Sequence, residues 1–196
     1  MPLDNIHGFD SVWTLKNRNR HALQLGFIQS LCLTGNERVL DVGGSDFVED
    51  FRYSPVHYDM IDVEKPLKGE GGHNAHPEGF TYDGCTLPFP EGSYDIVHVS
   101  FVLHHAAQNT IPLLKQIRSI ATSDVIILED LCSPAYPRKW TQRCAAHQPG
   151  GMFRDDSEWR ELFDLIGFHL EQAIHIKRAD DLGHLPCRAL YHLKPA

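Results

Sequence analysis

The sequence predicts an α/β fold, a mostly parallel sheet closed by an antiparallel hairpin, and three observations carry that reading. Arg38-Val39-Leu40-Asp41-Val42-Gly43-Gly44-Ser45 is an apolar run around one aspartate, stopped by two glycines and a serine. That is the pattern of a short buried strand entering a tight turn. Downstream, short apolar segments alternate with segments of helical period, the order that builds a parallel sheet. Finally, Phe168 to Arg178 and Arg188 to Leu193 read as two strands around a long polar turn.

Composition sets the outer bounds. A chain of 196 residues with 42% hydrophobic and 22% charged content is expected to form one soluble domain with its own core, 1–196. No apolar run approaches the roughly 20 residues of a membrane span. Met1 to Asp10 lacks the basic start and apolar stretch of a signal peptide, so a cytoplasmic protein is expected. With 18 basic against 26 acidic residues the net charge is −8, which disfavours non-specific nucleic-acid binding without forbidding a local basic patch. Five irregularly spaced cysteines read as reduced thiols rather than a disulfide framework. Cys132, Cys144 and His147 form the nearest thing to a metal cluster. They fall short of the four paired ligands of zinc, so no metal is expected.

Taken in order, Ser11 to Leu33 is mostly helical in character, with Leu23, Phe27 and Leu31 on one face, and residues 1–36 read as an N-terminal helical cap. Arg18, Arg20 and His21 lie on its polar part, either a solvated face or a lid. Strand one is Arg38 to Val42. Glycine in the turn after it lets backbone approach a ligand, and Ser45 or Asp46 caps a short helix to Tyr53, ended by Pro55. Strand two is Tyr58 to Val63. Asp62 near its end lies about 20 residues beyond Asp41, the spacing at which a carboxylate receives ribose hydroxyls. Glu64 to Gly79 has no period and reads as a loop where a helix would be due.

Phe80 to Asp83 is strand three, closed by Gly84, and Leu87 to Ser93 is a turn-rich connector. Tyr94 to Ser100 is strand four, apolar enough to be central. The chain leaves it through Phe101 to Ala107, which carries His104 and His105. Asn109 or Thr110 caps the next helix, with Pro112 in its first turn and Leu113, Ile117 and Ile120 as its buried stripe. Asp124 to Asp130 is strand five. Leu131 to Arg154 is too long for a plain connection, and such loops are often functional. Asp155 and Glu158 form a capping box for a helix through Trp159, Leu162, Phe163 and Ile166, which Gly167 ends.

Four fragments in order, VLDVGGSDF, YDMIDV, YDGCTLPFPEGSYDIVHVS and FVLHHA, cover roughly residues 36 to 130. With them the chain resembles the class I S-adenosylmethionine-dependent methyltransferases, and most of all their small type 11-like group. The resemblance implies a Rossmann-like three-layer sandwich around seven strands, only the last of them antiparallel. It implies that S-adenosyl-L-methionine is the cofactor. Asp41, Gly43, Gly44 and Ser45 would border its methionine part and Asp62 its ribose. Asp83, with the backbone of Gly84 and Cys85, would meet the adenine, and Ser100 and Phe101 would form the floor. The chain departs from the family's pattern at Phe47, where a third small residue is usual.

Methyl transfer needs a general base only for a protonated acceptor. His105 is the best placed candidate because a histidine titrates near neutrality, with His104, Glu129 and His147 beside it as further catalytic candidates. An equally open reading is that the paired histidines brace their turn. Asp130 and Arg154 are candidate substrate contacts. Arg154 suits a carboxylate or phosphate of the substrate, or simply pairs with Asp155 or Asp156. The insert 131–154 reads as the substrate-side cover, with Tyr136, Trp140 and Phe153 as apolar wall. The compact chain favours a small or medium-sized acceptor. A protein or RNA acceptor and a non-catalytic cofactor-binding module are the alternatives. A nicotinamide oxidoreductase is disfavoured by the missing G-x-G-x-x-G and Tyr-x-x-x-Lys patterns.

Overall fold

The computed structural model describes residues 10–15, 20–32, 34–43, 57–63, 79–132, 151–178 and 188–196. Within them the strands are β1 (Asp10–Leu15), β2 (Arg38–Val42), β3 (His57–Asp62), β4 (Gly79–Thr81), β5 (Tyr94–Ser100), β6 (Ala121–Asp130), β7 (Phe168–Arg178) and β8 (Arg188–Pro195). The helices are α1 (Arg20–Leu31), the single turn α2 (Leu103–Ala106), α3 (Thr110–Ile120) and α4 (Asp156–Ile166). The strands form one sheet in the order β1-β7-β8-β6-β5-β2-β3-β4. Every neighbouring pair is parallel except the two made by β8, which runs antiparallel to β6 and β7.

Seven of these strands, with β8 reversed between β6 and β7, are the Rossmann-like sheet and closing hairpin that the sequence predicts. The eighth is a correction. Asp10–Leu15 is not helix but an edge strand parallel to β7, and the helix expected from Ser11 begins only at Arg20. The segment DSVWTL alternates polar and apolar residues, and that period of two prevails over the helical reading. The N-terminal segment is thus strand and helix rather than a helical cap alone.

The sheet is apolar on both faces, as a central parallel sheet must be. Leu40, Val42, Ile61, Val97, Val99 and Ile127 pack towards α3 and α4, against Leu113, Ile117, Trp159 and Phe163. Val39, Tyr58, Met60, Ile96 and Ile126 face the other way, against Phe27 and Ile28 of α1. The buried face of α1 is Gln24, Phe27 and Ile28, with Leu31 half-buried, so the stripe drawn through Phe27 and Leu31 is rotated to admit a polar residue.

Element ends follow local chemistry. Asp155 accepts from the Glu158 N–H while the Glu158 side chain accepts from the Asp155 N–H, closing the expected capping box on α4. Gly167 ends α4 in the left-handed conformation at φ 88°. For α3 the expected cap fails: the Asn109 side chain makes no capping bond, and the Thr110 hydroxyl donates backwards to the carbonyls of Leu103 and Ala107. A 3-10 turn, Ala107–Asn109, leads directly into α3 and leaves no free helix end to cap. β6 starts three residues earlier than expected, because Ala121 turns extended immediately after α3 and pairs with Tyr94. The expected helix from Asp46 to Tyr53 and the expected loop from Glu64 lie outside the described residues. Among the described residues, no helix is long and apolar enough to cross a membrane.

Candidate functional site

Parallel strands bring their carboxyl ends to one edge, and ligands of such sheets bind in the crevice outside it. Here that edge gathers Gly43 after β2, Asp62 at the end of β3, the turn after β4, Ser100 and Phe101 at the end of β5, and Glu129 and Asp130 at the end of β6.

Asp41 lies inside the protein beneath this edge. Its carboxylate is buried, and Oδ2 accepts from the Tyr58 hydroxyl at 2.5 Å, while Oδ1 lies 3.0 Å from Nδ1 of His98. Burial and the Asp41 charge push the Tyr58 hydroxyl well above its ordinary pKa, so it remains a donor. Gln24 of α1 completes the network: its amide nitrogen donates to Ser100 Oγ at 2.9 Å and stands 3.4 Å from His98 Nε2. One consistent proton assignment satisfies all of these contacts: His98 Nδ1–H donates to Asp41, and the two amide hydrogens of Gln24 serve His98 and Ser100. Asp41 thereby ties β2, β3 and β5 together. Gln24 Oε1 is buried and has no hydrogen-bond partner among the described residues.

Gly43 is glycine for two reasons that the structure makes explicit. Its φ is +76°, and a Cβ on it would fall 2.1 Å from Cγ2 of Val102. The space beside this glycine is filled by the turn after β5. Phe101 in that turn is itself left-handed at φ 58°, with its N–H on the Leu128 carbonyl and the Arg188 guanidinium 5.2 Å from its ring centroid. Non-glycine residues held this way cluster where a fold over-determines a site.

Two carboxylates stand on neighbouring strand ends. Asp62 Oδ1 accepts from the Val63 N–H. Asp83 is exposed, and its Oδ1 accepts from the N–H groups of Thr86 and Cys85 at 2.7 and 2.8 Å, which lower its pKa and keep it ionised. The Cys85 N–H expected to meet a ring edge is therefore turned onto Asp83. Gln116 of α3 fastens the same turn, donating to the Cys85 carbonyl and accepting from the Leu87 N–H.

On the other side of β5, Glu129 is fully buried. Its Oε1 accepts from the Leu103 N–H at 2.7 Å, and Oε2 lies 2.6 Å from Nδ1 of His104. Burial raises the Glu129 pKa against the pull of these bonds. His104 is also fully buried, stacked on Phe153 at a centroid distance of 4.8 Å and tilted by 40° against His105 at 4.2 Å. The His104 and Glu129 side chains are both buried, and Glu129 at the end of β6 is bonded to the turn after β5 through Leu103 and His104. His105 is exposed, and burial of part of its ring, with His104 beside it, lowers its pKa.

The segment that follows the insert extends β6. Leu131 bridges Arg154 in parallel, the Arg154 carbonyl accepts from Cys132, and the Met152 N–H donates to the His104 carbonyl. Arg154 pairs with neither Asp155 nor Asp156. Asp155 caps α4, and Asp156 accepts from Arg160, His175 and Tyr191. Asp130 is held by Arg188 at 2.7 Å. Gly44, Ser45, Phe47 and His147, with Tyr136, Trp140 and Cys144, lie outside the described residues. Cys32, Cys85 and Cys132 are free thiols, and no metal-binding cluster occurs among the described residues. Sequence reasoning missed Gln24, Tyr58 and His98. The available signal was a polar residue at an inward position on each of two adjoining apolar strands, Asp41 and His98, since each needs a partner.

A Rossmann-like sheet with one reversed strand and a glycine turn and two carboxylates at its carboxyl edge defines the class I methyltransferase architecture. The chain belongs to the methyltransferase domain family, which matches residues 15–173. Its fold is similar to that of a putative methyltransferase from Bacillus halodurans, at 16% identity and a TM-score of 0.71, covering 90% of this chain and 99% of that one. It is also similar to magnesium protoporphyrin IX methyltransferase from Synechocystis with bound SAH, at 13% identity and a TM-score of 0.67, covering 90% and 82%. A putative methyltransferase in complex with the Haloferax volcanii Trm112 activator matches at 16% identity and a TM-score of 0.66, covering 82% and 83%. No curated protein matches the sequence significantly.

The donor set at the edge fits an adenosyl cofactor. Asp62 at the end of β3 and the ionised Asp83 in the turn after the adjacent β4 are acceptors suited to hydroxyls and an exocyclic amine. The orphaned Gln24 Oε1 is a further buried acceptor beside Ser100.

Proposed function

We propose that this chain is an S-adenosylmethionine-dependent methyltransferase acting on a small or medium-sized acceptor in a reducing, cytoplasmic setting. The observation that carries the reading is the placement of Asp62 and Asp83 at the ends of adjacent strands, beside the Gly43 turn, in a chain of the methyltransferase domain family. Asp62 accepts from ribose hydroxyls, Asp83 from the adenine amine, and Ser100 and Phe101 line the floor. The cofactor, when bound, supplies an electrophilic methyl on a good leaving group. The chain's own task is then to align the acceptor and exclude water. His105 is the group available to take a proton from the acceptor, with His104 and Glu129 as positioning residues behind it. The free thiols of Cys32, Cys85 and Cys132 support the reducing compartment.

Calorimetric titration with S-adenosylmethionine and its demethylated product tests the proposal. Asp62→Ala is expected to weaken binding by about 1.5–3 kcal/mol, the worth of hydrogen bonds to a charged group. Unchanged affinity would remove Asp62 from the site, and no binding to the parent chain would end the reading. The competitor is a module that binds the cofactor without turnover. Release of labelled methyl onto any acceptor rules that competitor out.

A further inference from the structure

Two buried N–H donors with no hydrogen-bond partner among the described residues sit in one stacked pair. Nη1 of Arg154 and Nε1 of Trp159 are the two atoms, and the Arg154 guanidinium carbon lies 4.9 Å from the centroid of the Trp159 ring. Trp159 is fully buried, and a buried polar atom left unpaired costs about 1–3 kcal/mol. Nη2 of the same guanidinium meets only a weak acceptor, the Met152 sulfur, at 3.1 Å. Among the described residues Arg154 has no carboxylate in ion-pair contact, because each nearby acid is engaged elsewhere. Asp155 caps α4, the Glu158 carboxylate accepts from the Asp155 N–H, and Glu129 is bound to His104 and Leu103. The pair lies where Arg154 continues the end of β6, and Phe153 next to it covers His104. That is the side of β5 where an acceptor meets His105.

We infer that Arg154 and Trp159 form a site for a carboxylate carried by the methyl acceptor, so that the substrate class is a small organic acid. Two unpartnered N–H donors on adjoining side chains match in number the two oxygens of a carboxylate, and one donor is charged, which strengthens its bond. The charge balance selects the ligand. Arg154 supplies the single positive charge of the pair, which matches one carboxylate charge, and the nearby Glu129 and Glu158 charges oppose the second charge of a phosphate dianion more strongly. The anion site itself stands on the geometry; its assignment to the acceptor rests on the methyltransferase reading.

The test follows the Trp159 indole N–H by proton–nitrogen correlation spectroscopy of the full chain, its signal assigned with Trp159→Phe. Sodium acetate, inorganic phosphate and sodium chloride are titrated at matched ionic strength. The expected result is a saturable shift with acetate, little with phosphate or chloride, and acetate affinity weakened roughly tenfold or more in Arg154→Leu. Arg154→Lys keeps the charge without the fork and is expected to weaken acetate several-fold, so it decides the matter if the leucine variant does not fold. Absence of an acetate response, an equal response to phosphate, or unchanged affinity in these variants overturns the inference. Calorimetry with the demethylated cofactor on the same samples separates this outcome from failure of the methyltransferase reading.

Discussion

At the scale of single residues, the positions that matter most are those where backbone and side chain are constrained together. Gly43 combines a left-handed φ with a Cβ direction blocked by Val102. Gly43→Ala is expected to lose about 1–2 kcal/mol to the backbone and about 1–3 kcal/mol more to overpacking. A lower urea midpoint that Val102→Ala partly restores is the expected measurement, and an unshifted midpoint refutes it. His105 yields a second prediction. Burial and the neighbouring His104 lower its pKa, so the ring is neutral and able to accept a proton near neutral pH. Turnover should therefore persist below the ordinary histidine range and fall only as pH drops through the lowered value. His105→Gln should abolish that limb while leaving cofactor affinity intact, and a variant that loses thermal stability instead would assign His105 to bracing. Both residues stand out in the sequence, one as a glycine after a strand and the other as half of a histidine pair. Their surroundings do not, because Val102 reaches Gly43, and Phe153 covers the His104 beside His105, through turns that no periodicity encodes.

At the scale of elements, α4 shows how one carboxylate fastens a helix to the sheet. Asp156 in its first turn accepts from His175 of β7 at 2.9 Å, from Tyr191 of β8 at 2.8 Å and from Arg160 one turn on at 2.8 Å. Burial alone would raise its pKa, but the bonds from His175, Tyr191 and Arg160 and the charge of His175 outweigh burial and bring it down to about 2. A carboxylate lowered by folding contributes stability that is fully present above its unfolded pKa of about 3.9 and is lost as pH falls through its folded pKa. The shift is worth roughly 2 kcal/mol. Asp156→Asn should cost about that much near neutral pH, and the gap to the parent should close as pH falls from about 4 towards about 2. Urea midpoints across that range check it, and a pH-independent gap would show that the amide merely packs badly. The capping box of α4 was legible because its two residues are three apart in the chain. The Asp156 network was not, since its partners His175 and Tyr191 lie far along the sequence and meet only through sheet register.

At the scale of the whole molecule, the strands β2 to β6 were legible along the chain because most are apolar segments bounded by turn residues. Reading failed at β1, where the short alternation of DSVWTL was absorbed into the helical period that follows it and only pairing with β7 reveals the strand, and at Gln24, whose partners His98 and Ser100 lie far along the chain. Tertiary partners overrode local propensity. The consequence is testable, because β1 covers the edge of β7, pairing in parallel from Asp10 with Ala173 to Leu15 with Arg178. An uncovered β7 presents a row of unpaired backbone groups, a template for pairing with another chain. Removing residues 1–15 leaves the seven-stranded sheet and the catalytic edge intact in outline, since the family match begins at residue 15. The truncated chain is therefore expected to fold and bind cofactor with affinity close to the parent's. Its β7 amides should exchange with solvent faster than the parent's, and light scattering should show self-association that rises with concentration. If exchange in β7 is unchanged and the truncated chain stays monomeric, the eighth strand contributes nothing to the protection of the sheet edge. If cofactor affinity collapses as well, β1 acts through α1 and the Gln24 contacts with Ser100 and His98, and the two roles are separated by repeating the titration on Gln24→Ala in the full-length chain.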